Sequence, residues 1–102
     1  MIENYKEYHE VAECMQKYLN YKGWTMSIGF YDIENDDIIF KIAPYTWYNT
    51  KRQLLAALEK EFGLMPIEPI TKFYVGTFKY KIKINKFEAL YALAKIKRGN
   101  IV

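Results

Sequence analysis

From Phe78 to Ile84 the chain reads Phe, Lys, Tyr, Lys, Ile, Lys, Ile, an unbroken alternation of apolar and cationic side chains. Successive side chains of an extended strand point to opposite faces, so this stretch is satisfied only as a strand with one greasy side and one wet side. A helix would spread both sets around its circumference. The sheet that contains the strand must therefore carry its packing layer on one face. Just before it, Val75-Gly76-Thr77-Phe78 fits a two-residue hairpin loop with glycine at the first central position. That loop places Val75 opposite Phe78 and Phe73 opposite Tyr80, on the same face as Ile82 and Ile84. The other face then carries Tyr74 beside Lys79 and Lys72 beside Lys81, with Lys83 continuing the row.

The remaining elements follow from periodicity and punctuation. Tyr8, Val11, Met15, Tyr18 and Leu19 recur at helical steps and predict a helix over 4–22, capped by Asn4 with Glu7 and closed at Gly23. Trp24, Met26, Ile28 and Phe30 alternate as a half-buried strand. Glu34-Asn-Asp-Asp37 turns the chain into a second strand with Ile38, Phe40 and Ile42 inward, and Pro44 ends it. Thr50 and Gln53 form a capping box for a second helix with Leu54, Leu55, Leu58 and Phe62 buried and Gly63 at its end. Pro66 and Pro69 hold 64–69 extended. Asn85 and Glu88 cap a last helix over 86–98, which stops at Gly99. The order α-β-β-α-β-β-α predicts an α+β fold of two related ββα-like motifs, antiparallel hairpins packed against helices. The spacing predicts one domain over 1–102, with a pseudo-repeat at about 24–63 and 64–100 preceded by the N-terminal helix.

At 102 residues the chain is long enough for one core without staples. Its single Cys14 forms no internal disulfide, no apolar run nears the roughly 18–20 residues of a membrane span, and the charged start is no signal peptide. A cytoplasmic protein is expected. The net charge of +3 conceals a split: residues 1–40 carry −5 and residues 41–102 carry +8. Such asymmetry bears on partners more than on fold.

Groups able to carry chemistry are few. His9 is the lone histidine, on a helix between acids, and Cys14 has no neighbour in sequence to activate it. Asp32, Glu34, Asp36 and Asp37 lack the glycine and distal glutamate of a calcium loop. No glycine-rich strand-to-helix turn offers to cradle a phosphate. The expectation is a protein without catalytic residues, metal or cofactor.

The element order resembles the homing-endonuclease fold named for its conserved helix motif, in which an acid just before a glycine binds the catalytic metal. Here the matching endings are Lys22-Gly23 and Phe62-Gly63, so the resemblance implies the order of elements and not the chemistry. In length and in its Ile-, Lys- and Tyr-rich vocabulary the chain also resembles the small orphan proteins of filamentous viruses of hyperthermophilic archaea, which commonly act by binding.

Two surfaces are left as candidates. Tyr45, Trp47 and Tyr48, in the crossover between the motifs, are placed to anchor a protein or peptide in a groove between them, or else to pack on the second helix. This partner-binding reading leads. The alternative is a nucleic-acid face of Lys72, Tyr74, Lys79, Lys81 and Lys83, where the same lysines would otherwise serve to keep the sheet soluble. A monomer or weak homodimer is expected in either case.

Overall fold

The computed structural model describes residues 5–45, 48–67 and 76–101, with backbone alone at 48–50. The chain runs α1 (Tyr5–Tyr21), β1 (Met26–Glu34), β2 (Asp37–Pro44), α2 (Tyr48–Phe62), β3 (Met65–Pro66), β4 (Phe78–Lys83), a 3₁₀ turn (Ile84–Lys86) and α3 (Phe87–Gly99). This is the α-β-β-α-β-β-α order and mixed α+β class that the periodicity predicts. The four strands form one antiparallel sheet in the order β1-β2-β4-β3, with the two interior strands contributed by different hairpins.

Each element buries the residues its pattern selects. Tyr8, Val11, Ala12, Met15 and Leu19 of α1 are buried, as are Leu54, Leu55, Leu58 and Phe62 of α2 and Phe87, Leu90 and Ala94 of α3. They join Met26, Ile28, Ile38, Phe40, Ile42, Phe78, Tyr80 and Ile82 in a single cluster. All these strand residues share one face, so the helices cover that face and the protein is two layers thick, about 19 Å across its thin dimension. The α1 chain end is a double closure: Gly23, at φ +102°, donates to Asn20 O while Trp24 N donates to Leu19 O. Asn35 and Asp36 both take positive φ, which makes the β1–β2 connection the tight mirror-image turn that matches strand twist.

Tyr80 stands at the centre of the sheet with Phe40 on one side and Pro66 on the other. It has no exposed surface, and its hydroxyl donates to Leu55 O at 3.1 Å, tying α2 to β4. Burial pushes its phenol pKa upward. The flanking helices run side by side in the same direction. Tyr8 meets Phe87 edge-on at 4.7 Å, Tyr91 donates to Glu10 Oε1 at 2.8 Å, and Lys97 lies 4.9 Å over the Tyr18 ring. Lys97 also pairs with Glu61 at 3.2 Å, so its stem and charge join all three helices.

Four local expectations are corrected. Pro66, not Phe73, lies opposite Tyr80; Met65 occupies the place beside Lys81, and Ile67 N donates to Lys79 O. With β2 on the other side of β4, no place remains for the register of a two-residue hairpin at Gly76–Thr77. Residues 68–75, which include Lys72, Phe73, Tyr74 and Val75, lie outside the described residues. Thr50 is not the cap of α2, because the helix starts at Tyr48 and Thr50 is already in its first turn. Asn85 does not cap α3, because the 3₁₀ turn feeds straight into it and Phe87 N donates to Ile84 O instead. Gly99 remains in the last helical turn, and Asn100 takes the end position.

Two measurements check these assignments. Asp36→Gly, which relieves a side chain at φ +66°, should raise the urea-derived stability by about 0.5–1 kcal/mol. The hydrogen bond to Glu10 raises the Tyr91 pKa to about 12, from an ordinary value of 10.0. The folded state thus favours the neutral phenol, and this contribution is complete below pH 10 and lost as pH rises toward 12. The alkaline fall in the urea midpoint should be shallower in Tyr91→Phe.

Candidate functional site

The outer face of the sheet, away from the helices, gathers the basic residues of β2 and β4. The register sets Lys41 directly opposite Lys79, Ile39 opposite Lys81 and Asp37 opposite Lys83. Alternate residues along one strand are about 7 Å apart, so Lys79, Lys81 and Lys83 make an evenly spaced row. Lys79 and Lys83 are exposed and Lys81 is half-buried, on the side opposite Phe78, Tyr80 and Ile82, as the alternation requires. Like charges directly opposed across a ladder repel. Two groups on this face relieve that repulsion.

The first is Tyr31. The β1–β2 register slips between Phe30 and Asp32, so Tyr31 is the extra residue of a bulge and, with Asp32, shares the place opposite Ile39. Its ring, 43% exposed, sits among the cations: Lys41 Nζ is 4.3 Å and Lys79 Nζ 4.4 Å from the ring centroid. Each contact of this kind is worth about 0.5–1 kcal/mol at an exposed site. The ring's negative faces thus hold two ammonium groups whose strand positions would otherwise set them against each other.

The second is Asp37, which keeps only 8% of its surface. Lys83 Nζ is 3.3 Å from its Oδ1 and Lys81 Nζ 3.7 Å from Oδ2. Oδ1 makes no hydrogen bond of good geometry, so its attraction to Lys83 is that of an ion pair alone. Because both ammonium groups remain substantially in water, the pairs are weak and the lysines are easily redirected. Asp37 is not alone: the register sets Glu34 opposite it and Asp32 opposite Ile39, so the uncompensated positive charge of the face lies at its Lys41–Lys79 end, beside Tyr31. Ile39, between these groups, is buried apart from the main cluster.

Among the described residues both sheet edges are guarded against an added strand. On β1, Ile28 N–H donates to Gln16 Oε1 at 2.9 Å and Ile33 N–H to Asp32 Oδ1 at 2.8 Å, and the bulge breaks the edge between them. On the far side β3 is two residues long and contains Pro66.

Of the residues expected to carry function, Lys79, Lys81 and Lys83 are brought together, while Lys72 and Tyr74 lie outside the described residues. The aromatic beside the lysines is Tyr31, joined by Lys41, and neither was singled out from the sequence. A signal for Tyr31 existed: Ile33 follows the inward Phe30 by three residues, an odd step that demands an extra residue in the strand. Of the other candidates, Tyr45 is 67% exposed at the end of β2, its hydroxyl 3.4 Å from Ser27 Oγ. Trp47 lies outside the described residues, and Tyr48 is described by its backbone alone as the first residue of α2. Tyr45 lines none of the hollows of about 240, 210 and 120 Å³, the last of which lies beside Asp37, Lys81 and Lys83.

The remaining reactive groups have structural surroundings. His9 is exposed and meets Phe30 edge-on at 5.3 Å. Cys14 is buried, and burial raises its thiol pKa, away from a reactive thiolate. Among the described residues no group of three or more His, Cys, Asp or Glu could hold a metal ion, and no helix is long and apolar enough to cross a membrane.

Removing the ring tests its contact with the lysines. Tyr31→Ala should destabilise the fold by about 1–2 kcal/mol, from the two cation contacts and the repulsion they offset. In the Tyr31→Ala background, Lys41→Ala should cost less than it does alone, a coupling that urea unfolding of the double-mutant cycle reads directly. No family model matches the chain, and neither a curated protein nor a solved structure shows significant similarity to it.

Proposed function

We propose that this is a non-enzymatic module that binds nucleic acid through the outer face of its sheet. The observation that carries the reading is Tyr31 in contact with both Lys41 and Lys79, continuous with Lys81 and Lys83 on one face. Exposed ammonium groups on a firm scaffold neutralise phosphates and release their counterions, while a ring among them supplies a stacking surface that accepts any base. Lys41 and Lys79 make the primary phosphate contacts, since among the described residues neither forms an ion pair with a carboxylate. Lys81 and Lys83 contribute after partial release from Asp37. The proposed place of action is the cytoplasm.

A protein or peptide partner anchored on Tyr45, Trp47 and Tyr48 is the second reading. It draws support from the exposure of Tyr45 beside the same sheet. The nucleic-acid reading is preferred because its ring and cations are held in contact with one another, whereas the aromatic trio has one described side chain.

Fluorescence anisotropy with a mixed-sequence oligonucleotide pool at 50 and 200 mM salt separates the two. Neutralising three phosphates predicts an affinity about 20- to 40-fold lower at the higher salt. Lys79→Glu should weaken binding to every sequence alike, and Asp37→Asn, which frees two lysines, should tighten it and steepen the salt dependence. The absence of binding at 50 mM salt would eliminate nucleic acid as the ligand and leave the peptide reading.

A further inference from the structure

Resting on the reading above, we infer that the ligand is single-stranded rather than duplex nucleic acid. A duplex hides the faces of its bases and offers sequence only along its grooves, where proteins insert a helix or a two-stranded ribbon. All three helices pack on the core side of this sheet, so none of them is available to a groove from the outer face. Among the described residues neither edge projects a ribbon from it. What the face does present is a ring, and the face of a base is accessible to a ring only where the strand is unpaired.

The contacts of Tyr31 supply the means. With Nζ atoms 4.3 and 4.4 Å from its centroid, the ring already holds two cations where a base would lie. A base that stacks on Tyr31 displaces an ammonium group from the ring. The displaced lysine then has the phosphate of that same nucleotide within reach of its flexible stem. The exchange keeps every charge compensated: aromatic face passes from cation to base, and cation from aromatic face to phosphate. On a duplex the first half of this exchange cannot occur, and the lysines give up their ring contacts without replacement. Along β4, Lys81 and Lys83 continue the line from Lys79 at spacings of about 7 Å, a row for an extended strand to follow.

The test compares fluorescein-labelled 12-nucleotide single strands, deoxy and ribo, with a hairpin duplex of the same sequence, by anisotropy at 50 mM salt on the full chain. The single strands should bind at least about 10-fold tighter than the duplex. Tyr31→Leu, which keeps apolar bulk but no π face, should lower single-strand affinity about 5- to 100-fold without lowering duplex affinity. Tyr31→Phe should restore it. Far-UV circular dichroism and the urea midpoint of each variant establish that the fold is retained. Equal or tighter duplex binding, or single-strand binding indifferent to Tyr31→Leu, overturns this inference while the nucleic-acid function stands. Binding to none of the three probes overturns both.

Discussion

The architecture depends on what surrounds Tyr80. A strand with neighbours on both sides has no free edge, and one whose residues alternate between aromatic and lysine can be central only if one face is dry and the other wet. Phe40 and Pro66 occupy the two lateral positions, Leu55 receives the phenolic hydrogen from above, and lysines occupy the side below. Each of these contacts reaches a different part of the chain, so the residue links α2 and the other hairpin to a single point. The hydroxyl matters as much as the ring, because a phenol with no exposed surface needs an acceptor, and a carbonyl at one helix position is what fixes α2 over β4.

Much of this was legible in the residues. The strong periodicities of α1, α2 and α3 located the helices, and the alternation from Phe78 identified both faces of β4. Local chemistry was less reliable, for a reason the misplaced hairpin makes plain. Phe73 and Val75 alternate with Tyr74 just as Met65 and Ile67 flank Pro66, and sequence proximity favoured the nearer set with its glycine turn. The observed pairing draws instead on Met65, Pro66 and Ile67, a segment that its own proline argues against as a strand. Similarly, Thr50 and Asn85 have capping chemistry, but α2 begins two residues before Thr50, and the 3₁₀ turn that runs into α3 engages the Phe87 N–H through the backbone, which leaves those residues without the role. The lysine side of the candidate site was readable from one strand alone. Its aromatic was not, because Tyr31 reaches the face through a bulge, and a bulge appears in sequence only as a break in phase.

The charge asymmetry acquires a spatial meaning in the fold. Glu10 and Glu13 lie exposed on α1, whereas Lys41, Lys79, Lys81 and Lys83 lie on the opposite layer. The helix layer as a whole is mixed, with Lys95, Lys97 and Arg98 on α3, so the attraction for an anionic ligand rests on the local cluster of lysines on the sheet and not on a polarity between the layers. Asp37 moderates this attraction. Placed at the entrance of β2 with almost no exposed surface, it draws two ammonium groups toward the sheet, so that the row is ordered at the expense of some of its charge.

The parallel seating of α1 against α3 has a consequence for how the chain comes into being. Tyr91 and Glu10 are separated by 81 positions, yet their side chains meet, and the same holds for Phe87 with Tyr8. On the ribosome, α1 is made early with an apolar stripe that β1 and α2 cover only in part until α3 has left the exit tunnel. Closure of so long a loop belongs to a late step of folding, and such topologies acquire their native shape slowly. Nascent chains stalled before α3 would hold Val11, Met15 and Leu19 incompletely covered, making them natural clients for the cell's holdase chaperones during that interval.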